Sequence, residues 1–424
     1  MRVLWATLYA PHPTRGGGWS HSWELLAQAG RRHAMTLLCA DPESDRSHSQ
    51  LTALGVEVQK VNWRRHVPTG RWGLIYEALR GPGSEQFRAV MPGVRAMAEA
   101  LAIAQEQRRY DVAFIWGAEL APLLDVAQLP TAYYVTDANT TYLRRQVRAA
   151  PTLRHRLLYT LDAAHVRRWE RTRYRRAAGL ATTSQSEAEV LEGLTGRSFD
   201  IIPVALGDEW FAAADVPRER NLVTIIAGLD YAPNVDGIRW FVEESWPRIK
   251  SALPEARLRV VGRSPSAELR ASLRGAGVEL LADVPDARPH YWQATVAVIP
   301  LRVGSGVKNK LIHAFACGAP VVGTSVATEG TATVHRSHAL MADDPSALAD
   351  AVIETLRHPE EAALRAQSAR RLAEPYRAEQ AAEALELFWQ RTRAGRAEPA
   401  RGSGVDLAKD LDIRGGTGAP RERP

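Results

Sequence analysis

The chain has 424 residues and a formal net charge of +6, and 45% of its residues are hydrophobic and 24% are charged. This length accommodates two domains, and the composition is that of a globular protein rather than a disordered or fibrous one. No stretch approaches the roughly 20 consecutive apolar residues of a membrane-spanning helix. The first residues indicate a β-strand rather than a signal peptide, and only two cysteines are present, so we expect a reduced cytoplasmic protein.

The first half of the chain alternates short apolar runs with segments of helical periodicity. Strands are predicted at residues 2–7, 35–39, 56–61, 110–116, 131–135, 179–183 and 201–203, and helices at 20–31 and 92–107. This alternation predicts an α/β domain with a parallel sheet covered by helices. Residues 62–95 interrupt the pattern and indicate an insertion of loop and helix.

Two loops of this half follow predicted strands. Gly16, Gly17 and Gly18 form a glycine-rich loop without the spacing of a dinucleotide fingerprint, so dehydrogenase chemistry is disfavoured and a simple surface turn stays open. Asp137 follows the strand at 131–135, at the sheet edge where open α/β folds bind ligands. The same position is also that of a helix N-cap.

Residues 143–176 contain eleven arginines and only two acidic residues, Asp162 and Glu170. An anionic membrane surface or another acidic partner would be attracted to this segment, and a solvated helical face is the simpler alternative. Nucleic acid is disfavoured as a partner, since no base-reading module or row of stacking aromatic residues accompanies the arginines.

The second half repeats the alternation after a predicted linker at 207–220. Strands are predicted at 221–227, 258–262, 278–281, 296–300, 319–322 and 340–341, and residues 345–394 are predicted as helical. We therefore expect an N-terminal domain at 1–206 and a C-terminal domain at 221–394. The remainder, 395–424, lacks periodicity and is predicted to be disordered.

The stretch 299–330 is the most informative part of the sequence. A strand leads into the loop Gly304-Ser305-Gly306, and a helix is predicted from about 307 to 317. A glycine loop that feeds a helix N-terminus is an anion-binding site. We expect Lys308 and Lys310 to be exposed in the first turn, where they oppose the helix dipole, and a bound diphosphate would offset this effect. A solvated helix start with two exposed lysines is the alternative.

The same stretch resembles the C-terminal signature of the retaining glycosyltransferases of family 4, also called glycosyl transferases group 1, which have the two-domain GT-B fold. The matching residues are Pro300, Gly304, Gly306, Lys308, Lys310, Leu311, Ala314, Phe315, Ala316, Gly318, Pro320, Val321, Val322, Thr324, Glu329 and Gly330. His313 departs from the signature, because the family usually has there a glutamate that binds the ribose of the donor.

The resemblance implies two Rossmann-like, doubly wound parallel-sheet domains that face a cleft, with a last helix that returns to the N-terminal domain. It implies transfer of a sugar from a nucleotide-sugar to an acceptor hydroxyl, with retention, without an essential metal and with no cofactor besides the nucleotide-sugar co-substrate. The expected setting is the biosynthesis of a glycan, polysaccharide or glycoconjugate.

The resemblance also assigns roles to individual residues. Asp137, as a general base or acceptor contact, Lys308 and Lys310 are predicted as catalytic. The predicted donor-binding residues are Gly16, Gly17, Gly18, Asn234, Arg302, Gly304, Ser305, Gly306, His313 and Glu329. No metal ligand is predicted.

Two alternatives remain beside the transferase. His313 and the altered stretch at 203–208 fit a catalytically inactive binding or scaffold subunit, and a sugar-nucleotide epimerase shares the fold. The expected partners are a nucleotide-sugar and a glycan, lipid-linked or small-molecule acceptor. A peripheral contact with the inner face of a membrane through 143–176 is also predicted.

Overall fold

The computed structural model describes residues 1–13, 17–40, 45–63, 85–148, 150, 152–212, 216–304 and 306–395. Several predicted features lie outside this described part: Gly16, Ser305, most of the insertion at 62–95, and the tail after residue 395.

Two parallel sheets organise the chain. The first contains β1 (Arg2–Thr7), β2 (Ala34–Cys39), β3 (Glu57–Lys60), β4 (Val112–Trp116), β5 (Thr131–Tyr134), β6 (Gly179–Thr182) and β7 (Asp200–Ile201), in the order β3-β2-β1-β4-β5-β6-β7. The second contains β8 (Leu222–Ile226), β9 (Arg257–Gly262), β10 (Glu279–Ala282), β11 (Val296–Ile299), β12 (Val321–Gly323) and β13 (Leu340–Met341), in the order β10-β9-β8-β11-β12-β13. The predicted fold class, two doubly wound α/β domains, is confirmed.

Helices cover both faces of each sheet. Those of the first half are α1 (Gly18–Gly30), α2 (Asp45–Ala53), α3 (Glu85–Gln107), α4 (Asn139–Arg148), α5 (Leu153–Arg173) and α6 (Gln185–Thr195). Those of the second half are α7 (Ala232–Trp240), α8 (Trp246–Ala252), α9 (Ala267–Gly275), α10 (Arg288–Gln293), α11 (Asn309–Ala316), α12 (Ser325–Thr328), α13 (Pro345–Arg357), α14 (Pro359–Ala373) and α15 (Ala378–Arg393).

The central strands are apolar along their whole length because helices bury both of their faces. In β1, Trp5 is fully buried and is in register with Leu37 of β2 and Phe114 of β4. In each sheet the order reverses beside the first strand, between β1 and β4 and between β8 and β11. Loops that leave the carboxyl ends of strands at such a reversal line the usual ligand site of this architecture.

The last helix, α15, packs in the core of the first sheet. Trp389 on α15 lies edge-on to Trp5, with 6.2 Å between the ring centroids. The chain returns beside residue 206, where the Leu206 amide donates to the Tyr376 carbonyl at 2.8 Å and the Ala378 amide donates to the Leu206 carbonyl at 2.7 Å. The two halves are thus connected at two neighbouring points.

Two helix boundaries differ from the prediction. The helix predicted from residue 92 begins at Glu85, so Pro92 lies inside α3; proline disfavours a helix interior but does not exclude it where packing compensates. The helix predicted from 307 begins at Asn309, which leaves Lys308 in the preceding loop. Of the described helices, none is long and apolar enough to cross a membrane. Cys39 and Cys317 are buried and are not joined in a disulfide bond.

Candidate active site

The candidate site lies where loops from the two sheets meet. The N-terminal half contributes the loops after β1 and β5 and the first turn of α6, and the C-terminal half contributes the loops after β8 and β11. These loops leave the carboxyl ends of parallel strands, as the doubly wound architecture requires of a ligand site. The two halves touch here through hydrogen bonds and an ion pair.

Gly306 contacts the N-terminal half at two points. Its amide donates to Oε1 of Glu187 at 3.0 Å. Its φ is +64°, and a Cβ atom at this position would lie 1.8 Å from Oδ1 of Asp137. Only glycine fits both the backbone conformation and the space, so the second glycine of the loop is required by the contact with Asp137.

Glu187 bridges the two halves with its carboxylate. While Oε1 accepts from Gly306, Oε2 accepts from the Ala138 amide at 2.5 Å. Burial, with a smaller contribution from the nearby Asp137, raises the pKa of Glu187 to about 7 against the opposing effect of the two backbone hydrogen bonds. The sequence offers only a weak signal for this role, because Ser184 and Glu187 form the spacing of a helix capping box.

Asp137 lies two residues before α4, and its carboxylate faces Gly306. Burial raises its pKa, a nearby Lys308 opposes this, and Glu329 adds to it. The amide of Ala138, the residue just before α4, donates to the Glu187 carboxylate. The half-buried Asp137 carboxylate therefore lies at the contact between the halves, with a cation close by.

Lys308 is buried rather than exposed, contrary to the prediction. Only 8% of its side chain is exposed, and its ammonium folds back to donate to the Gly306 carbonyl and lies 3.6 Å from Glu329. Burial lowers the pKa of Lys308, and Glu329 and Asp137 oppose that effect. The prediction assumed a helical first turn, whereas Lys308 lies one residue before the helix and points back along the loop.

Lys310 is also withdrawn from solvent. Its ammonium donates to Oδ1 of Asn234, whose own amide nitrogen donates to the Gly228 carbonyl at 2.8 Å. Burial, with a smaller contribution from the neighbouring Lys308, lowers the pKa of Lys310 to about 7. Two of the predicted residues, Lys310 and Asn234, are thus in direct contact. With a pKa of about 7, the Lys310 side chain exchanges between its ammonium and amine forms near neutral pH.

An ion pair between Arg145 and Glu329 joins the halves on the other side of the glycine loop. The guanidinium spans both carboxylate oxygens, with 2.7 Å between Nη1 and Oε2, and it also donates to the Gly304 carbonyl. Because of Arg145 and Lys308, the pKa of Glu329 lies below its usual value in spite of the opposing effect of burial. The sequence marked Arg145 only as one of many arginines in 143–176.

His313 is covered by an aromatic ring. The imidazole stacks on the indole of Trp210, with 3.8 Å between ring centroids and an interplanar angle of 13°. Trp210 belongs to the short 3-10 turn Asp208–Phe211 in the predicted linker. Burial lowers the pKa of His313 to about 3, so the ring stays neutral at physiological pH.

The remaining predicted residues lie at the margins of this cluster. Arg302 is paired with Asp236 at 2.7 and 2.9 Å, on an exposed side of the loop, and is not brought to the lysines. Gly17 accepts a hydrogen bond from the Asn309 side chain at 3.1 Å, and Gly18 begins α1. Gly16 and Ser305 lie outside the described residues.

The arrangement is that of an anion-binding site in which the protein's own carboxylates occupy the place of a ligand. A backbone amide, two lysines and an arginine converge on the loop from Gly304 to Lys310, and Glu187, Glu329 and Asp137 now balance their charge. Such donors stabilise a phosphate in place of a carboxylate without rearrangement of their backbone. Within the described ranges, no group of three or more His, Cys, Asp or Glu side chains is placed to hold a metal ion.

One part of the chain matches a known protein family. Residues 220–358 match the family model described as glycosyl transferases group 1. A protein of Klebsiella pneumoniae, named only as an uncharacterized 44.6 kDa protein in the cps region, is 26% identical over 139 residues. That match covers 31% of this chain and 36% of the relative, so the chain matches about a third of that protein's length.

Solved structures resemble the whole chain. Sucrose-phosphate synthase from Thermosynechococcus elongatus superposes with a TM-score of 0.67 at 16% identity, covering 93% of this chain and 99% of that one. Anabaena HepE in complex with UDP gives 0.61 at 12%, covering 92% and 100%. The same protein in complex with UDP-glucose gives 0.59 at 14%, covering 91% and 100%. At these identities the likeness shows the fold. The chain thus has the GT-B fold, and its residues 220–358 are similar to the glycosyltransferases of group 1.

Proposed function

We propose that the protein transfers a glycosyl unit from a nucleotide-sugar to an acceptor hydroxyl, with the donor diphosphate held by the loop from Gly304 to Lys310. The observation that carries the proposal is the convergence of the Gly306 amide, Lys308 and Lys310 at the contact between the two domains. The leaving group of this reaction is a nucleoside diphosphate, whose charge grows as the glycosidic bond breaks. Cations and amides placed beforehand stabilise that charge.

Donor binding requires an exchange of anions in this proposal. The Gly306 amide leaves Glu187 and donates to a phosphate oxygen, while Lys308 and Lys310 turn from the Gly306 carbonyl and from Asn234 toward the diphosphate. Separation of Glu187 from Gly306 opens the contact between the domains, so donor entry and domain opening are one event. Charge-assisted bonds to phosphate replace bonds that the protein makes to itself.

Asp137 lies across the loop from these cations, and we assign it to the acceptor. Its carboxylate can accept a hydrogen bond from the attacking hydroxyl, and its raised pKa makes it a better proton acceptor than an exposed aspartate. In a front-face retaining mechanism the departing phosphate itself takes the acceptor proton, so Asp137 would chiefly orient the hydroxyl. Retention and independence of metal ions belong to this proposal.

The relatives support the choice of donor and setting. HepE, whose structures contain UDP and UDP-glucose, makes a uridine diphosphate sugar the first donor to test. The Klebsiella relative from the cps region favours polysaccharide biosynthesis. We place the reaction in the cytoplasm, at the inner face of a membrane when the acceptor is lipid-linked.

The experiment is a thermal-shift screen of the full chain with UDP, GDP, TDP and ADP and their glucose conjugates. A ligand at 100 times its dissociation constant stabilises the folded state by roughly 2.7 kcal/mol. The hit is then incubated with EDTA and a panel of acceptors, and nucleoside diphosphate release is measured. The variant Lys310→Ala should lose the shift, whereas Arg274→Ala, an exposed residue of α9, should keep it.

Each rival function gives a different result. An inactive scaffold subunit would give no nucleoside diphosphate release with any acceptor, and loss of all nucleotide binding would remove the basis of the proposal. An epimerase would interconvert nucleotide-sugars without an acceptor. Anomeric analysis of the product by NMR decides between retention and inversion.

A further inference from the structure

Four leucines on one helix are exposed to solvent. The exposed fractions are 84% for Leu153, 62% for Leu157, 48% for Leu158 and 51% for Leu161. Three of them recur at intervals of four residues, so they form one stripe on the first half of α5. We call these four residues the leucine stripe.

The clustering distinguishes this stripe from other exposed apolar residues. Elsewhere in the described part of the chain, large exposed apolar side chains occur singly, such as Ile103 on α3, Leu364 on α14 and Leu387 on α15. Single exposed apolar residues are normal on a protein surface, whereas a contiguous group indicates an interaction site.

The opposite face of α5 fixes the helix against the domain. Asp162, Val166 and Glu170 are buried and also recur every four residues, about half a turn away from the leucine stripe. Glu170 accepts a hydrogen bond from the Thr140 hydroxyl at the start of α4. The helix therefore cannot rotate its leucines inward without losing these contacts.

The charge of the same exposed face is positive. Arg167, Arg168 and Arg171 are exposed on the second half of α5 and lie on the face that carries the leucines. The only two acidic residues of 143–176, Asp162 and Glu170, are both buried. The helix thus presents an apolar end and a cationic end to solvent, without exposed negative charge from its own segment.

From this surface we propose that α5 docks on an anionic lipid bilayer, with the leucine stripe inserted among the acyl chains and Arg167, Arg168 and Arg171 at the phosphate headgroups. Apolar residues beside cations on a single helix face are the pattern of helices that lie in the membrane interface. Four adjacent leucines do not suit nucleic acid, which offers an acidic and hydrated surface.

The position of α5 connects docking with the candidate active site. The preceding helix, α4, begins beside Asp137 and carries Arg145, which reaches Glu329 and the glycine loop. Since α4 has ten residues, the leucine stripe and the cleft are separated by roughly one helix length of about 15 Å. Resting on the proposed function, this geometry predicts an acceptor anchored in the same bilayer.

The test measures partition of the full chain onto sedimented vesicles of phosphatidylcholine alone or with 30% phosphatidylglycerol, at about 0.1 M and 0.5 M salt. The variant Leu153→Gln/Leu157→Gln/Leu161→Gln should lower partition at least tenfold. The matched control Leu364→Gln/Leu387→Gln, which removes exposed leucines elsewhere, should change it less than twofold. Replacing the three arginines with glutamine should abolish the preference for anionic vesicles and its salt dependence.

Several results would overturn the proposal. One is equal and weak binding to both vesicle types, and another is unchanged partition of the leucine variant. If light scattering instead shows a concentration-dependent dimer that the leucine variant lacks, the stripe binds a second copy and not lipid. Nucleotide thermal shifts of the same variants keep the two proposals apart. A wild type that binds vesicles but no nucleotide would refute the proposed function and leave the docking surface in place.

Discussion

The two sides of the candidate site are built in different ways. On the C-terminal side, one continuous segment from Gly304 to Lys310 supplies the cations and amides. On the N-terminal side, the groups that hold this segment come from three separate places, at Asp137, Arg145 and Glu187. The Gly306 to Glu187 bond joins residues 119 positions apart in the chain.

This difference separates what is local from what depends on the whole fold. Lys308 and Lys310 are specified by their neighbours in the chain, whereas Asp137, Arg145 and Glu187 meet the loop only when both domains are in place. Changes on the C-terminal side should therefore affect ligand binding first. Changes on the N-terminal side should affect the contact between the domains first.

The largest effect on stability is expected at Gly306, which lies against Asp137 and Glu187 of the other domain. The variant Gly306→Ala places a Cβ 1.8 Å from Oδ1 of Asp137 and forces alanine to a φ of +64°. We expect a loss of about 2–4 kcal/mol in the free energy of unfolding, together with loss of nucleotide binding. Urea unfolding followed by fluorescence measures the first quantity and calorimetry the second.

The double variant Gly306→Ala/Asp137→Ala serves as the control, because it removes the clash and leaves the backbone strain. It should recover more than half of the lost stability. If the double variant were as unstable as Gly306→Ala, the close approach of the two domains at this point would be wrong.

Gly306 and its surroundings also illustrate how much of the molecule could be predicted from the sequence. The alternation of strands, the glycine loop and Gly306 itself are local patterns. They predicted the fold, which is confirmed, and the anion site, which stays a prediction. The exposure of the two lysines was predicted wrongly. Whether Lys308 is buried depends on Asp137 and Glu329, which reach it from other parts of the chain.

The same reasoning explains the residues that sequence analysis missed. Glu187 has the spacing of a capping box, and nothing near it in the sequence indicates its two partners, Ala138 and Gly306. Trp210 lies in the predicted linker, and only the fold places its indole on His313. A histidine titration near 6.5, expected from the isolated side chain, is replaced by a neutral ring with a pKa of about 3.

The next largest effect is expected for Lys310, on the C-terminal side of the site. Lys310→Met should weaken nucleoside diphosphate binding by about 1.5–3 kcal/mol, the contribution of one charge-assisted hydrogen bond. Stability should change less than affinity, since the side chain has an apolar replacement and only the bond to Asn234 is lost. Isothermal titration calorimetry of both proteins gives the difference.

The same titration has a second readout. Because the pKa of Lys310 in the free protein is about 7, much of this side chain is neutral at pH 8 and takes up a proton when a diphosphate binds. Binding enthalpies in Tris and in HEPES buffer should therefore differ for the wild type and differ less for Lys310→Met. Equal proton uptake in the two proteins would show that Lys310 does not face the diphosphate.

A smaller effect is expected for the carboxylate that bridges the domains. The pKa of Glu187 is raised from 4.5 to about 7, so the folded state keeps this proton at pH values where the unfolded chain has lost it. The free energy of unfolding should thus fall as pH rises from about 4.5 to about 7 and stay low above that. Glu187→Gln removes this loss.

The measurement compares urea unfolding of wild type and Glu187→Gln at pH 5 and pH 8. The variant should gain roughly 1–2 kcal/mol relative to the wild type between these two values. The raised pKa values of Glu24 and Glu170 act in both proteins and cancel in the comparison. A difference that is independent of pH would mean that Glu187 is ionised throughout.

The smallest effect concerns the ion pair at the edge of the contact. Arg145 and Glu329 are about one-third exposed, with fractions of 31% and 32%, so water and salt screen their attraction. A double-mutant cycle with Arg145→Met and Glu329→Gln should give a coupling energy of about 0.5–1 kcal/mol, falling in 0.5 M salt. The pair Arg248 and Asp350, 54% exposed on both sides and confined to the C-terminal domain, is the control and should couple more weakly.

Because Arg145 and Glu329 belong to different domains, their separation should also increase the radius of gyration measured by X-ray scattering, which the control pair leaves unchanged. Coupling without any change in scattering would indicate that the remaining contacts, among them that of Gly306 with Glu187, keep the domains together.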